Sequence, residues 1–196
     1  MLSLLPHAFA ELSDDFHTRQ NWEGFDNPFV VIENTELKNE LGINNLGDQQ
    51  LLNIFNGTEK MESLKPLSMV YSGHQFGQYV EQLGDGRGLL LGQIISNSGL
   101  IDIHLKGAGK TPYSRFGDGR AVLRSVIREY LCGEAMHALS IPTSRALMIV
   151  GSDEMVIREK SESAAMLART AKTHIRFGSF EYFHYNNQPE NVKALA

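Results

Sequence analysis

The chain is nearly without cysteine: a single one, Cys132, stands among 196 residues. An intrachain disulfide is therefore excluded, and a reducing compartment is the expectation. A lone cysteine inside an apolar helical stretch is expected to be a buried packing residue. Long hydrophobic runs are also missing, and no window approaches the ~18 consecutive apolar residues of a membrane span. The opening "MLSLLPHAFAELSDDF" is interrupted by Pro6 and then by Glu11, Asp14 and Asp15. It reads as neither a secretory signal nor an Arg-rich transit peptide, so the expected setting is soluble and cytoplasmic. Excess positive charge is absent too. A formal net charge of −5 removes any global pull toward nucleic acid or an anionic membrane surface. Neither repeats nor low-complexity tracts occur.

What is present is an ordinary globular composition, 42% hydrophobic, enough to bury a core. Residues 1–66 read as an irregular arm with short helices. In "NTELKNELGI", Leu37 and Leu41 share a helical face, Asn34 is a candidate N-cap and Gly42 a stop. "GDQQLLNIFNG" reads as a second helix ending at Gly57. Residues 67–196 form the second part. There "YVEQL" and "LLLGQII" read as two strands joined by the glycine-rich turn "GDGRG", and "SNSG" turns the chain into "LIDIHLK". In that strand Ile101, Ile103 and Leu105 share one face, and Asp102, His104 and Lys106 project from the other. The best helical pattern runs roughly from Asp118 to Leu139. Arg120, Arg124 and Arg128 trace a polar stripe along it, expected to make intramolecular pairs rather than to bind nucleic acid. Glu129 has mostly apolar helical neighbours, and a carboxylate so placed needs a cationic partner. "LMIV", a "GSDE" turn and "MVIR" read as a closing hairpin.

"LKGAGKTP", Leu105 to Pro112, imitates a phosphate-binding P-loop but fails on spacing. The first glycine of G-x-x-x-x-G-K-[ST] falls on His104, and Pro112 disfavours the helix that must follow. Glu134 and His137 form one E-x-x-H pair, where a di-iron bundle needs two such pairs and further glutamates. No metal ligand is therefore assigned in this chain. His74 and His174 are expected to be structural, hydrogen-bonding residues.

The order strand, glycine turn, strand, strand with Lys, helix with Glu, strand, strand is that of a protein-kinase small lobe. Four long strings sharpen the comparison: "MVYSGHQFGQYVEQLGDGRGLLLG", "LKGAGKTPYSRFGDGRAVLRSVIREYL", "EAMHALSIPTSRAL" and "RTAKTHIRFGSFEYF". Together they resemble the selenoprotein O family, called YdiU in bacteria, over nearly the whole chain. The resemblance implies an α+β fold, a kinase-like small lobe with a mixed or antiparallel sheet and a C-type helix, preceded by the helical arm. It also implies ATP bound in a flipped orientation, and transfer of AMP to Ser, Thr or Tyr hydroxyls of proteins. UMP transfer from UTP and a non-catalytic, nucleotide-binding regulatory role are the alternatives.

Carried over residue by residue, the resemblance makes Lys106 the strand lysine and Glu129 its helix partner. Gly84, Gly86 and Arg87 then form the nucleotide-contacting turn, Asp118 and Gly119 make further nucleotide contacts, and Arg169 and Arg176 hold phosphate. Lys110, which a P-loop search would select, becomes an incidental loop residue. Thr173 stands where the family usually has Ser, and "RQNWEGFDNP" departs from a more proline-rich family version. No H-R-D or D-F-G segment is present. The family's catalytic Asp and its Asn and Asp ligands for Mg2+ or Mn2+ are expected downstream. The expectation is an N-terminal fragment without its large lobe and without turnover on its own.

Overall fold

The computed structural model describes residues 4–5, 7–59 and 64–196. In chain order it begins with β1 (Leu4–Leu5), a 3-10 turn (Ala8–Glu11), β2 (His17–Arg19), β3 (Phe29–Glu33), α1 (Thr35–Glu40) and α2 (Asp48–Asn56). The middle contains β4 (Leu67–Met69), β5 (Gly73–Gln75), β6 (Gln78–Val80), β7 (Gly88–Ser96) and β8 (Gly99–Lys106). It ends with β9 (Ala121–Val122), α3 (Leu123–Ala138), β10 (Arg145–Ile157), β11 (Ser161–Ala171), α4 (Phe177–Tyr185) and α5 (Pro189–Leu195). The main sheet runs β2-β4-β7-β8-β11-β10-β3, with β1 on β7 and β9 on β11, and every pairing is antiparallel. No helix among the described residues is long and apolar enough to cross a membrane.

The alternation in β8 decides how the sheet is used. Ile101, Ile103 and Leu105 enter the main core with Leu37 of α1, Leu41 at its end, and Leu51, Leu52 and Phe55 of α2. Burying each such side chain stabilises by about 1.5–3 kcal/mol, so this layer commits the sheet to one inward face. On the other face two smaller apolar patches form. Val126 of α3 packs on Ala146, Ile149, Ala165 and Leu167, while Phe183 of α4 and Leu195 of α5 join Leu67, Met69 and Leu90. Asp102, His104 and Lys106 share that second face, and β11 sets Arg169 directly across from His104. A polar strip thus separates the two apolar patches.

The first helix starts and stops as its residues suggest. The Asn34 side chain accepts a hydrogen bond from Leu37 N–H, and Gly42 follows the C-terminus with φ 71°. α2 ends at Gly57 as expected. The segment read as an arm also supplies strands that its sequence does not announce: β3 lines the β10 edge and β2 lines β4.

Four readings need correction. Tyr79 and Val80 of "YVEQL" pair with Gly73–His74 in a separate β5–β6 hairpin and not with β7. The "GDGR" turn lies instead against the end of β4, because Asp85 N–H donates to Met69 O and Gly84 N–H to Tyr71 O. The helix begins at Leu123, five residues after Asp118, since Ala121 and Val122 are drawn into a ladder with Ala165 and Ala164. "LMIV-GSDE-MVIR" is one long strand interrupted by a register shift between Gly151 and Met155. Ser152 Oγ accepts from Glu154 N–H and donates to Ala164 O, making a bulge where a turn was expected. Cys132 is exposed. The inner face of α3 is set by Val126, and six residues on the helix has rotated about 120° away from it. Leu131 and Met136 are exposed on the same helix, as is Leu139 at its C-terminal cap.

Candidate functional site

Two adjoining cavities open on the polar face of the sheet, with volumes of about 440 and 260 Å³. They share Tyr71, Gly86 and Arg87 and so form one groove. Lys106, Arg169 and Arg176 line its inner end together with Arg87. Gly84, Gly86, Asp118 and Gly119 line the outer end. The eight residues assigned to nucleotide from the sequence therefore meet along one groove, although they are spread along the chain from Gly84 to Arg176. Lys110 lines neither cavity. It is exposed, and its carbonyl accepts from the Gln20 side chain.

Lys106 reaches across from β8 to Glu129 of α3 and forms an ion pair with Oε2. The other carboxylate oxygen of Glu129 accepts from Arg169 Nη1 at 3.1 Å. One carboxylate thus ties the strand lysine, the strand arginine and the helix together. Burial alone would raise Glu129, but Arg169 and Lys106 hold it below the ordinary glutamate range. Burial lowers Lys106, Glu129 pulls it back up, and the neighbouring Arg169 and Arg87 push it down again. The net direction is down, because burial outweighs the pull from Glu129 and the two neighbouring arginine charges add to it. An anion in the groove would relieve that.

The first "GDGR" is built around a buried carboxylate. Asp85 Oδ2 accepts from Met69 N–H at 3.1 Å, and Oδ1 accepts from Arg176 Nη2 at 3.1 Å. Burial acts to raise Asp85, but His104, Arg176 and the Met69 N–H hold it well below the ordinary range. Arg176 caps α4, with its guanidinium 4.4 Å over the Tyr71 ring. Burial and the nearby Asp85 in turn push the Tyr71 hydroxyl up to about 12. The carbonyls of the turn are held from outside. Thr111 Oγ1 donates to Asp85 O at 2.8 Å and Ser114 Oγ to Gly86 O at 2.6 Å. Thr111 of the P-loop mimic therefore braces the glycine turn.

At the outer end Asp118 already has a partner. Arg158 grips it with two hydrogen bonds of 2.7 and 2.8 Å, and this pairing holds Asp118 below its ordinary range. Gly119, at φ 74°, lies so close to Gly109 that a Cβ would fall 2.1 Å from its carbonyl carbon. Only glycine fits where these two loops cross. Arg120 pairs with Glu154 and Arg124 with Glu162, the intramolecular role expected of that stripe. Arg128 makes no ion pair among the described residues. Glu134 and His137 both contact Arg145. His174 bonds Asp102 as a structural residue, whereas His74 is exposed and stands edge-on to Tyr79.

Sequence reasoning overlooks Tyr71, Asp85, His104, Thr111, Ser114 and Arg158 at this site. Two of them carried a usable signal: Asp85 lies inside the glycine turn, and His104 shares a strand face with Lys106. Among the described residues no group of three or more His, Cys, Asp or Glu is placed to hold a metal ion, so no step is assigned to a metal here.

Antiparallel sheet, flanking helices and a glycine-walled groove rich in arginine and lysine define an α+β domain with a cationic groove on one face of its sheet. A family model described as "Protein adenylyltransferase SelO" matches residues 3–196, and the chain belongs to that family. It is 53% identical over 191 residues to "Protein nucleotidyltransferase YdiU" of Vibrio parahaemolyticus, covering 97% of this chain and 39% of that protein. The protein of the same name from Pseudomonas fluorescens Pf0-1 is 52% identical over 192 residues, covering 96% and 39%. That from Enterobacter sp. strain 638 is 51% identical over 198 residues, covering 100% and 41%. The chain thus spans about two-fifths of the length of the curated relatives it matches.

Proposed function

We propose that this chain is the nucleotide-holding, N-terminal part of a protein nucleotidyltransferase, arranged as a kinase-like small lobe. The substrate nucleotide is ATP, and AMP passes to a Ser, Thr or Tyr hydroxyl of a protein. The observation that carries the reading is the convergence of eight sequence-assigned residues on one groove. Four cations, Arg87, Lys106, Arg169 and Arg176, stand there against Asp85 and Glu129. That excess of positive charge suits a triphosphate, and arginine offers planar, multidentate donors to its oxygens. Family membership and the names of the relatives support the same chemistry.

In the reaction the hydroxyl oxygen bonds to the α-phosphorus while the bond from that phosphorus to pyrophosphate breaks. Arg169, Arg176 and Lys106 bind and orient the phosphates, and Glu129 holds Lys106 and Arg169 in place. The hydroxyl proton passes to a base outside these residues. The base and the Mg2+ or Mn2+ ligands belong, on this reading, to the remainder of a family-length protein, and the 196 residues alone give no turnover.

Labelling tests the proposal directly. A family-length protein carrying this chain is incubated with acceptor protein and either α-³²P or γ-³²P ATP. Retention of the α label alone is expected, and transfer of the γ label would establish an ordinary kinase instead. Lys106→Ala is expected to weaken ATP binding at least tenfold, from the loss of a charge-assisted contact. Unchanged affinity in a calorimetric titration would remove Lys106 from the site.

A further inference from the structure

Period-two alternation puts Asp102, His104 and Lys106 on one face of β8, and the function proposed above uses only the lysine. His104 is 1% exposed, yet both ring nitrogens have charged neighbours. Its Nδ1 lies 2.9 Å from Arg169 Nη2. A guanidinium has donors and no acceptor, so Nδ1 must carry the lone pair. The proton of the neutral ring then sits on Nε2, which faces Asp85 Oδ1 at 3.4 Å. Asp85 is in turn bonded by Arg176, and Arg169 by Glu129. One continuous chain of contacts therefore runs from Arg176 through Asp85, His104, Arg169 and Glu129 to Lys106.

We infer that His104 is a positioning residue of the nucleotide site: with its proton left on Nε2, its Nδ1 accepts from Arg169 and aims that guanidinium at phosphate. The inference rests on the nucleotide reading above. The surroundings leave the ring little freedom. The His174 ring stacks on it at 4.8 Å and 22°, and His174 is itself fixed by its backbone N–H to Asp102 at 2.8 Å. On the neighbouring strand, Gly88 is what makes room. A Cβ there would stand 2.5 Å from His104 Cε1 and 3.0 Å from Nε2. Burial and Arg169 lower His104 to about 3, which keeps the ring neutral and Nδ1 free to accept near pH 7.

Two substitutions separate positioning from packing. His104→Phe fills the ring's space and removes the acceptor, whereas His104→Asn leaves a gap but offers an oxygen near the Nδ1 position. The expected result in the 196-residue chain is that His104→Phe weakens ATP binding about tenfold, the worth of one charge-assisted hydrogen bond. His104→Asn should stay within about threefold of the parent although it is the less stable variant. In an Arg169→Ala background, His104→Phe should cause no further loss. Affinity that follows stability, with Phe ahead of Asn, would overturn the inference. So would full additivity with Arg169→Ala.

Long-range ¹H–¹⁵N spectra of the imidazole provide a readout independent of nucleotide. A neutral His104 protonated on Nε2 at pH 7 is expected, and a ring protonated on Nδ1 would overturn the relay. If the parent chain binds no ATP, the nucleotide reading falls, and the tautomer alone decides whether His104 orients Arg169.

Discussion

Acidification should destabilise this protein well before its carboxylates titrate, and His104 should account for a definable share. His104 is buried and faced by Arg169 from β11, Asp85 from the glycine turn and His174 from the segment before α4. Burial and Arg169 place its pKa at about 3, against about 6.5 in an unfolded chain. The folded value is depressed, so the neutral ring favours the fold above pH ~6.5, and that contribution is lost as pH falls toward 3. Each such histidine gives a slope approaching 1.36 kcal/mol per pH unit below the unfolded pKa. Between pH 7.5 and 5.5 the loss from His104 should be about 1 kcal/mol. His174, also lowered mainly by burial, adds a loss in the same direction. Asp85 and Asp102 are depressed as well, but their contributions disappear only below pH ~4, outside this window. Urea unfolding at pH 7.5, 6.5 and 5.5 measures the effect in the parent and in His104→Phe. The variant should lose about 1 kcal/mol less than the parent across those two units. Identical pH dependence in the two proteins would refute the assignment of a buried, neutral His104.

Two further outcomes follow from packing. Gly88→Ala should cost about 1–3 kcal/mol in unfolding free energy, because its Cβ meets a pinned imidazole that has nowhere to move; a loss below about 0.5 kcal/mol would show that the ring relaxes. Cys132 is exposed, so Ellman's reagent should titrate one thiol in the native protein at a rate close to that after denaturation. A strongly protected thiol would mean that another surface covers α3.

The residues that bear charge or turn the chain were legible in order, but apart from the Lys106–Glu129 pair implied by the family resemblance their partners were not. Alternation in "LIDIHLK" was enough to put Lys106 opposite the core, because side chains on a strand have only two faces. The apolar face around Glu129 was enough to demand a cation, and Asn34 and Gly57 marked helix ends through local hydrogen bonding and backbone freedom. The "GSDE" turn and the helix start at Asp118 were misplaced for the opposite reason. Both positions answer to distant strands, since β11 pairs through the bulge and draws Ala121 and Val122 out of the helix.

By itself, then, the sequence determined that there is a mixed α and β domain, a lysine strand, a glutamate helix and two glycine turns, and its motifs identified the family. Only the tertiary structure decided that Glu129 serves Arg169 as well as Lys106, that Arg158 occupies Asp118, and that Thr111 and Ser114 brace the first glycine turn. It alone brought out Asp85 and His104 as the link between the arginines. The reason is physical. Local pattern reports which face a residue occupies, whereas a buried charge is defined by whichever groups the sheet brings within about 3–4 Å of it, here from positions as far as 91 residues apart.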